Sequence, residues 1–378
     1  MGCGRLVSMS SMLPSPPKSL GKLGDVLISA LASVRGEQNP LALPKRRSVL
    51  VLLVDGLGLL NLKHAGAHAS FLNSQKSMEA SCFYPSTTST SLVSFATGKP
   101  PWENSFIGYQ VFDRLTRKSM NLLSGWDNQS DALVFQPIQT VSELAIDSGI
   151  EFHTIAPAIY QDSGFTAATM RKATFHGISS LEERFAKAQL LLATPEPKVV
   201  YLYVPELDQT AHAKGWKSTQ WLNLLEDVDS QVSKLAAVLP KNTGFIVTAD
   251  HGLVDIEKHN HIYLDEFLPE SELDFVGGDT RGLFIYLKDQ SLTAETISKL
   301  SETLQDTCYL LTPDELIAAG YWNAISNPTI VPDFVVLARK EVALYHRGFA
   351  KRKSLEMIGH HGSISTQEMS IPLITIGF

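Results

Sequence analysis

Cysteine is nearly absent from this 378-residue chain: Cys3, Cys82 and Cys308 are its whole complement. So few thiols, and an odd number of them, exclude a disulfide framework and point to a reducing compartment, so the cytoplasm is the expected location. Long uncharged apolar runs are also missing, which excludes a bilayer-spanning helix, and no membrane partner is expected. The opening MGCGRLVSMSSM has no continuous apolar segment of the kind a secretory leader needs, so no leader is expected. There is no basic excess either. With 32 Lys and Arg against 39 Asp and Glu, the formal charge is −7, which argues against a nucleic-acid partner. The dinucleotide fingerprint G-x-G-x-x-G fails at its third glycine. Gly56 and Gly58 fill the first two places, but Asn61 stands in the last, which disfavours a nicotinamide-dependent oxidoreductase. Internal repeats are lacking, and low complexity is confined to the first twenty residues.

What is present is a set of unalternating apolar runs: SVLVLLV from Ser48, KVVYLYV from Lys198, GFIVTA from Gly244 and, less purely, FHTIAPA from Phe152. Runs without a polar face suit strands of a parallel sheet covered on both sides. Helical patterns separate them. The clearest runs from Trp216 to Leu239, with Trp221, Leu224, Leu225, Val228, Val232 and Leu235 on one face. The expected fold is therefore α/β, a doubly wound, mostly parallel sheet sandwiched by helices. Residues 1–47, with a modest helix near Leu20–Ala32, read as a peripheral lead-in. Residues 48–254 and 346–378 read as the core. The choppier stretch 255–345 reads as a small α+β cap insertion, with Phe334–Tyr345 as a hairpin or a pair of edge strands and Ile371–Phe378 as a final strand returning to the main sheet.

The chemistry-bearing residues lie just past the strand-like runs, the end of an open α/β sheet at which ligands bind. Asp55 follows the first run. Read alone, it is either a helix cap or a ligand. Asp208 and His212 are four apart, so a helix would put both on one face, where they form either a solvated pair or a metal clamp. Asp250 and His251 sit between an apolar strand and Gly252, placed to turn inward together. His360 and His361 lie between two glycines, and only one of them needs to be a ligand. The run Ser86-Thr87-Thr88-Ser89-Thr90-Ser91 enters a helical pattern that ends at Gly98. A hydroxyl at that helix start caps the helix, and it also meets the positive dipole end that favours an alkoxide and a phosphate. Together these residues are enough for two transition-metal ions and one nucleophile. His64 and His68 read as surface or packing residues, and His259 and His261 as parts of a polar loop.

In their order, Val54-Asp55-Gly56, Tyr84 to Thr88 with Ala96-Thr97-Gly98, Asp208 with His212 and Gly215, Asp250-His251-Gly252 and His361-Gly362 resemble the alkaline phosphatase superfamily, most closely its type I phosphodiesterase/nucleotide pyrophosphatase branch. The resemblance implies an alkaline phosphatase-like fold and two divalent ions, zinc or else manganese, with imidazole ligands suiting zinc. By that resemblance Asp208, His212 and His361 hold one ion, and Asp55, Asp250 and His251 the other. Thr88 is the nucleophile whose hydroxyl one ion binds, with Thr87 the neighbouring candidate. The implied reaction is hydrolysis of a small-molecule phosphate ester, a nucleotide among the candidates, through a phospho-threonine intermediate. An asparagine for a phosphate oxygen is also implied. Ser91 stands three residues after Thr88, and Asn104 is the downstream candidate. A phosphomonoesterase or phosphomutase with the same core is the alternative, and it would need cations such as Arg114, Arg117, Lys172 or Arg281 at the phosphate. The motif C-x-P-S/A-R of sulfatases is absent around Cys82. A non-catalytic binding protein on this scaffold is the remaining reading, and the retained ligands and hydroxyl argue against it.

Overall fold

A computed structural model describes residues 13–19, 21–126 and 129–378; Cys3 and Leu20 lie outside them. Eight strands form the main sheet. In chain order they are β1 (Gly21–Lys22), β2 (Ser48–Val54), β3 (Ser77–Ser81), β4 (Glu151–Ala156), β5 (Thr174–Gly177), β6 (Lys198–Val204), β7 (Thr243–Thr248) and β12 (Ser370–Ile376). Their spatial order is β1-β3-β12-β7-β2-β6-β4-β5. Only β12 runs against its neighbours; the other pairings are parallel. Every residue of β2, β6 and β7 is buried, as expected of strands whose sequences carry no polar face.

Helices cover both faces. In the longest, α5 (Thr219–Val238), Ser218 accepts from the Trp221 N–H at 3.2 Å to start the helix, and Trp221, Leu225, Val228, Val232 and Leu235 are buried. Leu224, on the flank of that stripe, is only partly covered. The segment expected as a lead-in joins the body of the fold. β1 extends the sheet beside β3, and α1 (Gly24–Arg35) puts Val26, Leu27, Ala30 and Leu31 fully into the main apolar core. Among the described residues, no helix is long and apolar enough to cross a membrane.

A second sheet has the order β8-β9-β11-β10, all antiparallel, from β8 (Leu273–Asp279), β9 (Gly282–Leu287), β10 (Cys308–Leu311) and β11 (Phe334–Ala338). It carries its own apolar cluster, which includes Leu273, Ile285, Leu300, Leu310 and Val336. Over Phe334–Tyr345, expected as a hairpin or a pair of edge strands, no hairpin forms and only the second segment is an edge strand. β11 is an interior strand, buried throughout, and Ala343–Tyr345 pairs in parallel with His261–Tyr263. The physical reason is Arg281, whose Nη1 donates to the carbonyls of Lys340 at 2.6 Å and Val342 at 2.7 Å, drawing the connecting backbone away from β11.

Candidate metal centre

β2 lies between β7 and β6, so the residues just beyond these three adjacent strands share one rim. Asp55 follows β2, Asp250 and His251 follow β7, and Asp208 and His212 ride on α4 (Glu206–Lys214), which begins two residues after β6. This is the crevice at the carboxyl ends of an open sheet. Gly56 turns the chain with φ +74°, and a Cβ there would stand 2.8 Å from Leu253 and 3.1 Å from the Cβ of Asp208. At Gly252 a Cβ would come within 2.0 Å of the Gln367 carbonyl oxygen. The two glycines thus permit the close approach that the acidic residues need. His361 arrives on the segment after the short strand Gly359–His360, and Thr88 opens α2 (Thr88–Thr97).

Each carboxylate has one oxygen tied to the protein and the other left bare. Asp250 Oδ1 accepts from the N–H groups of Gly56 and His251, both at 3.0 Å. Asp55 Oδ2 accepts from the Tyr203 hydroxyl, and Asp208 Oδ2 lies 3.1 Å from His212 Nε2. The remaining oxygens, Asp55 Oδ1, Asp208 Oδ1 and Asp250 Oδ2, are buried with no hydrogen-bond partner among the described residues. Buried acceptors rarely go unpaired, and each such oxygen demands a reason.

The imidazoles follow the same pattern. His212 Nδ1 donates to the Gly359 carbonyl at 2.8 Å, His361 Nδ1 to the Ser86 carbonyl at 2.9 Å and His251 Nδ1 to the Gly252 carbonyl at 3.2 Å. A carbonyl only accepts, so each ring carries a proton on Nδ1 and turns Nε2 toward the carboxylates, the arrangement typical of metal-ligating histidine; in the metal-free state His212 holds a second proton on Nε2, which it donates to Asp208 Oδ2. His251 Nε2 lies 3.5 Å from Asp55 Oδ1, 3.4 Å from Asp250 Oδ2 and 3.2 Å from Thr88 Oγ1. His361 Nε2 is 4.0 Å from Asp208 Oδ1, and its ring stacks on His251 with centroids 3.8 Å apart.

Proton affinities reflect this crowding. Burial raises the Asp55 carboxyl well above the carboxylate range, with Asp250 and Asp208 adding repulsion. Burial likewise lifts Asp250 to about 6. At Asp208 burial pulls upward, but His212, His361 and His251 outweigh it and hold the group ionised. His212 gains the reciprocal effect and rises to about 9 against its own burial, mainly through Asp208. Burial lowers His251 and His361.

This donor set fits divalent cations. Ligand atoms of Asp208, His212 and His361 lie within 4.8 Å of one another, as do those of Asp55, Asp208 and His251. Asp208 therefore belongs to both groups, a sharing that the sequence reading did not foresee. Asp250, expected in the second group, contacts it through His251.

Other candidates go elsewhere. Thr87 donates to Asp279 Oδ2 at 2.9 Å, which leaves Thr88 as the threonine over the cluster. Ser91 Oγ donates to the Asp250 carbonyl, and Asn104 is buried against Lys99 and Ser94. His360 faces away, bonded to Thr280 and to the Met357 carbonyl. His64 packs on Trp216, His68 lies 3.4 Å from Glu226, His259 pairs with Glu257 and His261 packs on Tyr345. All four candidate cations are engaged away from the centre: Arg114 with Asp333, Arg117 with Asp274, Lys172 with Asp147 and Arg281 with Glu368. Two participants escaped the sequence reading. Tyr203 reads as one more core aromatic in an apolar strand. Asp279, at the end of β8, has no motif around it, yet it lies 3.6 Å from His361 Nδ1.

Known proteins resemble this chain in sequence and in fold. Mouse and human ectonucleotide pyrophosphatase/phosphodiesterase family member 1 are 25% and 24% identical over 202 residues, 49% of this chain. The match spans about a fifth of those relatives, 21% and 20% of their lengths. Among solved structures, murine ectonucleotide pyrophosphatase/phosphodiesterase 5 superposes with a TM-score of 0.70 at 18% identity, covering 86% of this chain and 87% of that one. Its human counterpart gives 0.67 at 16%, covering 87% of each. These likenesses agree with an alkaline phosphatase-like α/β fold. The family model for type I phosphodiesterase / nucleotide pyrophosphatase matches residues 49–364, and the chain belongs to that family.

Proposed function

We propose that the protein is a metal-dependent phosphoric diester hydrolase acting through a phospho-threonine intermediate. The observation that carries this reading is the set of three bare, buried carboxylate oxygens that meet three inward-facing Nε2 atoms beside the Thr88 hydroxyl. Asp208, His212 and His361 would hold one divalent ion, and Asp55, His251 and Asp250 the other, with Asp208 within reach of both. Bound there, a pair of zinc or manganese ions supplies Lewis acidity that lowers the hydroxyl pKa and offsets charge on the phosphoryl oxygens.

The chain's own groups do the positioning. Thr88 Oγ1 stands 3.2 Å from His251 Nε2, at the edge of the ligand group, so the hydroxyl is placed for in-line attack on phosphorus when that nitrogen holds an ion. Helix α2 starts without a side-chain cap, and the hydroxyl of its N-cap residue Thr87 turns instead to donate to Asp279. Its first-turn N–H groups are thus available to a non-bridging phosphate oxygen, a role that suits a helix N-terminus. Attack by Thr88 Oγ1 expels the alcohol of one ester, and water then cleaves the phospho-threonine.

A diester is favoured over a monoester by charge. The four candidate cations are paired elsewhere, and Asp279 adds a carboxylate beside His361. A singly charged diester meets less repulsion there than a dianion. The murine relative, solved as an inactive threonine-to-alanine variant in complex with AMP, supports a threonine nucleophile and a phosphate ester ligand. The test is Thr88→Ala, assayed on bis-p-nitrophenyl phosphate and p-nitrophenyl phosphate with metal content measured alongside. Turnover of the diester should fall by at least about a thousandfold with metal retained. Full activity in that variant would remove Thr88 from the mechanism, and a parent protein that prefers the monoester would overturn the diester reading.

A further inference from the structure

Two histidines outside the metal centre face each other at one flank of the main sheet. His153 lies on β4 and His176 on β5, the strand at the sheet's edge. The two strands pair in parallel, with His153 opposite Thr174 and Ile155 opposite His176. Residues two apart on a strand share a face, so the imidazoles are diagonal neighbours on one face. His153 Nδ1 stands 3.2 Å from His176 Nε2, with ring centroids 5.3 Å apart. Two imidazole nitrogens on one tetrahedral zinc, each about 2.0–2.1 Å from it, are roughly 3.3 Å from one another. The fold therefore holds the pair at the separation a shared cation needs.

The surroundings carry the same pattern. Glu151 Oε2 lies 3.2 Å from His153 Nε2. Lys198 Nζ donates to that oxygen at 2.8 Å and holds the Glu151 carboxyl below its usual range. A carboxylate only accepts, so His153 carries a proton on Nε2, and the neutral ring turns its Nδ1 lone pair toward His176. A carboxylate on the far nitrogen of the ring, itself hydrogen-bonded, is the partner that metal-ligating histidines have. The His153 side chain is only 12% exposed, and His176 is half-buried. Burial, with Lys187 and His153 adding repulsion, pushes His176 down to about 4, so protons do not compete for it at neutral pH. Lys187 comes from the helix Leu181–Ala193. Because β5 pairs with β4 alone, water is left to supply the remaining ligands. Glu151 and Lys198 are register partners at the amino ends of β4 and β6, the rim opposite the metal centre.

We infer that His153 and His176 form a further site for a divalent transition-metal ion, copper, nickel or zinc by the preference of imidazole, and that the ion clamps the edge strand β5 to β4. With two protein ligands and Lys187 nearby, it binds more weakly than the metal centre. The inference stands independently of the hydrolase reading.

The experiment starts from protein whose metal centre is loaded with zinc and adds Cu2+ by equilibrium dialysis. Copper and zinc are both counted, so copper that displaces zinc is scored apart. The parent should take up a further equivalent of copper, whose electron paramagnetic resonance shows nitrogen from both imidazoles. Hydrogen exchange at residues 174–177 should slow as this copper binds. His176→Ala should weaken the uptake by at least about tenfold and abolish the change in exchange, with ester hydrolysis unaltered. Lys187→Gln removes the repelling charge and should tighten copper several-fold. No copper beyond zinc exchange, full uptake by His176→Ala, or exchange at β5 that ignores copper would each overturn the site and leave a hydrogen-bonded histidine pair. Should His176→Ala fail to fold, Lys187→Gln decides, and an unchanged copper affinity there overturns the inference.

Discussion

The metal-free centre is predicted to be destabilised by its own charge, and Asp250→Asn measures by how much. Burial lifts the Asp250 carboxyl from an ordinary 3.8 to about 6. At about 1.4 kcal/mol for each tenfold change in proton affinity, keeping this group ionised inside the metal-free fold at pH 7 costs about 3 kcal/mol. The sign follows from linkage. Between about 3.8 and 6 the folded protein holds the proton and the unfolded chain has lost it, so stability falls as pH rises through that window. The amide of Asp250→Asn keeps the carbonyl that accepts from Gly56 and His251, and it places an NH2 near His251 Nε2 where the bare oxygen stood. After chelation the variant should therefore melt several degrees above the parent at pH 7, and this advantage should vanish below about pH 4. Zinc should reverse the order, because stabilisation by a bound ion scales with its affinity and the parent binds more tightly. Differential scanning calorimetry of both proteins, with chelator and with zinc, reads all four values. A parent more stable than the variant in the chelated state would mean that Asp250 is satisfied without a cation, and the assignment of the centre would fall.

Other changes separate the roles of the remaining groups. Asp208→Asn should cost both metal ions where Asp250→Asn weakens one, since Asp208 belongs to both ligand groups; elemental analysis after dialysis gives the stoichiometry. Asp279→Asn preserves an acceptor for Thr87 but removes a charge beside His361, so the ratio of p-nitrophenyl phosphate to bis-p-nitrophenyl phosphate turnover should rise several-fold. Glu368→Gln leaves the buried Arg281 without a counter-charge and should destabilise the fold by about 3–5 kcal/mol in urea titrations. Burial opposes ionisation of Glu368, but Arg281 prevails and holds its carboxyl below the usual range. Its contribution is thus present above the unfolded carboxylate pKa and is lost as pH falls through the folded one.

The main sheet was legible because a parallel strand covered on both faces leaves a plain mark: seven consecutive buried residues at Ser48–Val54 and seven more at Lys198–Val204. Asp208 and His212 were legible for a similar reason, since helical spacing alone puts them on one face. The choice between His360 and His361 was not. Neighbours along an extended segment point to opposite sides, so one histidine meets Thr280 while the other enters the centre, and only the pairing of Gly359–His360 with Val254–Asp255 decides which. Asp279 was invisible because its partner Thr87 is 192 positions away, at the start of α2. The destinations of the cations were hidden in the same way. Arg281 looks like any surface arginine in sequence, yet it is buried, pairs with Glu368 and bends the chain after β11.

What separates a cation site from a set of helix caps and ion pairs is which atom of each residue is used, and residue identity does not carry that information. An aspartate that merely caps a helix or pairs with an arginine has its oxygens occupied or in water. Here backbone and side-chain donors take one oxygen from each of Asp55, Asp208 and Asp250, and the fold buries the other bare. Carbonyls take Nδ1 from each of His212, His251 and His361 and turn Nε2 inward. Six residues from four separate chain segments show this half-used state at one point. Packing alone has no reason to produce it, because each bare buried oxygen is unfavourable until something positive fills the space between them.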